Sequence, residues 1–172
     1  MAMVMKSDFA SVVEREILEK GWALLDLPDP SLVDDAVGAL RGELRRLTGD
    51  TSIDLETYHE HVGDDPRHID LHLAMTAFWQ AGRYAQSIMA ENLSLFADFL
   101  GPDIWIHKNP FLRMVRPGKV QDNNGYHRDT VYGGTAYEVS VFIPLIDLPA
   151  ETAPRVLTGS HVLAESAFPF SM

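Results

Sequence analysis

The apolar positions of the first hundred residues recur at helical spacing. Phe9, Val12, Val13 and Ile17 share a face over residues 9–20, with Ser7 and Asp8 available to cap that helix and Gly21 to end it. The short apolar run Gly21–Leu25 predicts a strand. Pro28 and Pro30 mark a turn, and Ser31 followed by Asp34 is a variant capping box. A second helix then carries Leu32, Val33, Ala36, Leu40, Leu44 and Leu47 before Gly49. Residues 49–68 are polar and read as a loop. One long helix over 67–100 follows, with Leu71, Met75, Phe78, Ala85, Met89 and Phe96 as its stripe and Gly101-Pro102 as its stop.

From residue 104 the period changes. Ile104–Ile106, Phe111–Val115 and Tyr137–Ile143 read as strands. In the last of these, Val139, Val141 and Ile143 alternate with Glu138, Ser140 and Phe142. Helices first and strands afterwards predict an α+β fold, a β-barrel with a helical jacket. The expected organisation is a single domain over 1–172, mainly helical to 103 and β from 104.

Charge narrows the partners. Asp and Glu number 25 against 14 Lys and Arg, a formal net charge of -11, which argues against nucleic acid and anionic lipid. No cysteine is present, so disulfides, thiolate metal sites and cysteine nucleophiles are excluded, and a reducing cytoplasm is the default compartment. No apolar run reaches the length of a signal peptide core or a membrane span.

The residues that point to chemistry are Tyr126-His127-Arg128-Asp129-Thr130. In a strand, positions two apart face the same side, so His127 and Asp129 would present an imidazole and a carboxylate together. That pair suits a borderline divalent metal such as Fe(II) or Mn(II). On its own, a His-x-Asp pair is more often a half-buried histidine beside a turn-capping aspartate. His59, His61, His68 and His72 look like a second cluster, with His68 and His72 one helical turn apart. The expectation is surface or substrate-loop histidines and not a metal site.

The run Tyr126–Thr135, the segment 139–148 with Pro144-Leu145-Ile146-Asp147, and the Gly159-Ser160-His161 turn together resemble the phytanoyl-CoA dioxygenase-like family of Fe(II)/2-oxoglutarate oxygenases. Within that family they look most like the bacterial carbohydrate- or secondary-metabolite-associated members. The resemblance covers about a third of the chain. It implies a double-stranded β-helix, a jelly-roll or cupin-like barrel, present here only in its first half.

It also implies Fe(II) as cofactor and 2-oxoglutarate as cosubstrate, in the hydroxylation of a small molecule. His127 and Asp129 would open the metal site. Arg113, Asn109, Tyr126 and Thr130 are the cosubstrate-binding candidates, with Arg116 and Tyr132 close by. The family's second metal histidine and its carboxylate-gripping arginine lie beyond the Gly-Ser-His turn, where this sequence has no counterpart. The favoured expectation is therefore a fragment of a longer enzyme; the alternatives are that His161, a poor substitute, has taken the third ligand position, or that the domain is catalytically dead or completes its site with a second chain. The open barrel edges would then favour a homodimer. The competing expectations are a non-catalytic cupin-like binding or assembly barrel and a metal-independent sugar-binding or isomerase-type barrel.

Overall fold

The computed structural model describes residues 8–129 and 138–164, with side chains from residue 11. Among the described residues up to position 100 there are six helices. They are α1 (Asp8–Lys20), α2 (Ser31–Thr48), α3 (Tyr58–His61), α4 (Asp65–Gly82), α5 (Tyr84–Glu91) and α6 (Leu93–Leu100). Among the described residues beyond them, 3-10 turns lie at Val120–Asp122 and Ser160–Val162.

The first two helices follow the apolar pattern. Val13 of α1 is buried, as are Ala36, Leu40 and Leu44 of α2 at intervals of four. The start of α2 departs from expectation. Ser31 makes no side-chain cap; its backbone N–H donates to Asp29 Oδ1 at 2.9 Å, so an oxygen two residues earlier meets the first N–H of the helix. Ser7, the other proposed cap, lies outside the described residues. Asp64 caps α4 conventionally, accepting from the Arg67 N–H at 2.9 Å, with Pro66 in the first turn where a missing N–H costs nothing.

The single helix expected over 67–100 is three helices. Arg83 adopts a left-handed conformation with φ 53° and ends α4. Tyr84 then folds back over Gly82, where a Cβ would lie 2.2 Å from the tyrosine ring, so glycine is what admits the bend. The second break falls at Asn92, which is 1% exposed. Its side-chain amide donates to Ile88 O at 2.9 Å, and its Oδ1 accepts from Asp29 N–H at 3.3 Å. A buried amide bonded this way ends one helix and ties the break to the turn before α2.

The core lies where α2 packs against α4 and α5, while α1 packs on α6. Leu112, from the segment after the helices, enters the same core.

The β-barrel is overturned. Among the described residues there is no strand, neither at 21–25 nor at 104–106, 111–115 or 138–143. Among the described residues the fold is helical up to Leu100 and, apart from the two 3-10 turns, irregular after it. Alternating polarity defines two faces, but a strand also needs a neighbouring backbone to bond with. Here helix side chains take that place. His72 Nε2 meets Leu112 O at 2.7 Å, Gln80 Nε2 reaches Pro110 O at 3.5 Å, and Gln86 Nε2 donates to Lys108 O at 2.7 Å. Carbonyls 108, 110 and 112 are thereby laid along α4 and α5 instead of along a sheet. Among the described residues no helix is long and apolar enough to cross a membrane.

Candidate metal centre

His127 and Asp129 do come together. His127 Nε2 stands 3.7 Å from Asp129 Oδ1, with the side chains 26% and 55% exposed. His127 Nδ1 lies 3.0 Å from the Gly125 carbonyl. A carbonyl only accepts, so Nδ1 carries the proton in that bond. With Nδ1 so engaged, Nε2 is the ring nitrogen turned to the carboxylate, and it is the atom that carries the lone pair whenever the ring is neutral. A histidine whose second nitrogen donates to a backbone carbonyl has the outer-shell arrangement of metal-binding histidines. Ser140 Oγ–H donates to the other carboxylate oxygen, Asp129 Oδ2.

A divalent ion bonded to both atoms at about 2.1 Å in adjacent positions needs them about 3 Å apart. The remaining closure, under an ångström, is within reach of a rotation of the exposed Asp129 side chain. The pair therefore fits two adjacent ligands of a borderline cation. Among the described residues no group of three His, Asp or Glu side chains is placed to hold a metal.

His161 has a different setting. Its Nε2 donates to Leu18 O at 2.9 Å, in the last turn of α1. The Gly159 N–H donates to Lys20 O at 2.8 Å, and Trp22 Nε1 to Thr158 Oγ1 at 3.0 Å. The Gly-Ser-His turn thus satisfies carbonyls that the end of α1 leaves without helical partners. Gly21 permits the approach. Its φ is +86°, and a Cβ there would lie 2.6 Å from His161 Nδ1.

The cosubstrate candidates are scattered over the C-terminal part. Arg113 is exposed and donates from Nη2 to Asp122 O at 3.2 Å. Asn109 is exposed, its backbone N–H on His107 Nδ1 at 3.2 Å. Tyr126 is 62% exposed beside His127. Thr130 and Tyr132 lie outside the described residues. Arg128, between the two metal candidates, donates from Nη2 to Leu163 O at 2.6 Å and also to Ser160 O. That joins the His-x-Asp segment to the turn that caps α1.

The strongest electrostatics lie elsewhere. Arg116, 4% exposed, grips Asp122 through Nε (2.8 Å) and Nη2 (2.9 Å) and reaches Asp65 Oδ1 at 2.9 Å. The Arg116 guanidinium holds the Asp122 carboxyl down to about 2. His68 Nε2 sits 3.6 Å from Asp122 Oδ2, and its ring stacks on Tyr58. Burial pushes the His68 pKa down and the Tyr58 pKa up. The expectation of a surface or loop histidine at 68 is thus corrected: it is 4% exposed and belongs to a buried polar cluster. Asp122 escaped sequence reading altogether, although Arg116 and Asp122 straddle Pro117-Gly118, a turn signal that brings positions six apart together.

A separate cleft of about 200 Å³, between the end of α2 and α4, is floored by Leu47, Val62, Leu71 and Ala74 and includes neither His127 nor Asp129. No family model matches the sequence, and no curated protein or solved structure matches it.

Proposed function

We propose that this chain carries the metal-binding part of an Fe(II)- and 2-oxoglutarate-dependent oxygenase that hydroxylates a small molecule, with His127 and Asp129 as two protein ligands. One observation supports it above the motif itself. The Gly125 carbonyl engages Nδ1 and leaves Nε2 as the ring nitrogen that faces Asp129 Oδ1, 3.7 Å away. This geometry is local, built from a turn and its neighbours, and does not depend on a barrel.

His127 supplies a neutral nitrogen and Asp129 a negative oxygen, a mixed pair suited to Fe(II) over Mg²⁺ or Ca²⁺. Bound iron together with 2-oxoglutarate would supply the oxidising chemistry for an unactivated C–H bond. Among the cosubstrate candidates, Arg113 is exposed and bonds the Asp122 carbonyl through one guanidinium nitrogen, and the remainder of its fork is of the type that suits a carboxylate such as that of 2-oxoglutarate. The reading also needs a third protein ligand beyond this pair.

The test is succinate release from 2-oxoglutarate with Fe(II) and oxygen. The expected result is release above that of free iron, lost in His127→Ala and in Asp129→Ala. Release no greater than with iron alone overturns the proposal.

A further inference from the structure

The carboxylate of Asp129 has two oxygens, and the structure gives them different partners. Oδ2 accepts from the Ser140 hydroxyl, while Oδ1 faces His127 Nε2 at 3.7 Å. Ser140 is eleven residues further along, in the segment whose polarity alternates but which forms no ladder. Its hydroxyl is thus a side-chain tie between two stretches of backbone that no strand pairing joins.

We propose that Ser140 is the positioning residue of the metal centre, selecting Oδ1 of Asp129 as the metal-facing oxygen and holding it toward His127. The inference rests on the function proposed above. An exposed aspartate rotates about two side-chain bonds and can offer a cation either oxygen or both. A hydroxyl bonded to Oδ2 narrows that freedom to small rotations that keep Oδ1 toward His127. It keeps the carboxylate a one-oxygen ligand and leaves the ion's other positions to other groups. It also lowers the entropy lost when the ligand is fixed on the ion. Such outer-shell partners typically change metal affinity by about 10- to 100-fold when removed.

The measurement is Co(II) binding to the full chain, followed by calorimetry and by the visible absorption of the bound ion, which reports its coordination. Ser140→Thr keeps a hydroxyl, and Ser140→Val has the same shape without one. The expected result is Co(II) affinity within about twofold of the parent for Ser140→Thr, a loss of about tenfold or more for Ser140→Val and Ser140→Ala, and an altered spectrum only where the hydroxyl is gone. Equal affinity and an unchanged spectrum in Ser140→Val overturn the role of Ser140, provided His127→Ala and Asp129→Ala still weaken binding. If those two variants bind Co(II) as the parent does, the pair itself is not the site and both proposals fall.

Discussion

Arg116 is a cation sealed among side chains, and its position is tolerable only because Asp122 meets it twice and Asp65 once more. Asp122→Asn keeps the shape and removes the charge, leaving a buried guanidinium short of its partner. The expected cost is about 3 kcal/mol of unfolding free energy in urea titration; a loss under about 0.5 kcal/mol, the usual scale of a surface substitution, contradicts it.

The pH dependence follows the same residues. The folded state holds the Asp122 pKa at about 2, below its ordinary 3.8. Its contribution is therefore complete above that ordinary value and is lost as pH falls toward about 2. His68 is a base whose pKa burial lowers from 6.5, so the unfolded chain binds its proton first and stability declines as pH drops below that value. Urea titrations from pH 7 to 3 should show stability falling throughout, with a shallower fall below pH 4 in Asp122→Asn. Of this cluster the sequence showed only the types of residue. The pairing across the Pro117-Gly118 turn needs a backbone path that no periodicity records.

Among the elements, α1 and α2 were legible because their apolar spacing and turn residues agree. The single 67–100 helix was not, because its stripe continues through Arg83 and Asn92 without a change of period. Its breaks come from a left-handed residue and a buried amide, and neither alters the hydrophobic pattern. The strands failed for the opposite reason. Val139, Val141 and Ile143 alternate as a strand would, but alternation carries no information about a partner. At 107–112 the glutamines and histidine of α4 and α5 answer the backbone instead.

The Gly-Ser-His turn is legible as a motif, while its task, closing the end of α1, is a tertiary contact. That task is testable by coupling. Gly21→Ala introduces a methyl against His161 at a φ of +86° and should destabilise by about 2 kcal/mol. Adding His161→Ala removes the clash but not the backbone strain, so the double variant should cost less than the sum of the two single changes by at least about 0.5 kcal/mol in denaturant titration. Strict additivity would mean that the turn is not seated on Gly21.

At the scale of the molecule, a helical core is followed by described C-terminal residues that are bonded but form no strand, and these carry the exposed His-x-Asp pair. The net charge of -11 suits cation binding at such a place without specifying it. The pair's proximity was expected from the two-residue period of a strand, but residues 126–129 form no strand, and the two side chains meet without one. The pair's framing by Gly125 and Ser140 was not legible, since one is a turn carbonyl and the other a hydroxyl eleven positions away. The most direct measurement is a crystal of the protein soaked in Mn(II), with an anomalous difference map. The account predicts a peak within about 2.2 Å of both His127 Nε2 and Asp129 Oδ1. A map with manganese bound elsewhere and nothing between those two atoms contradicts it.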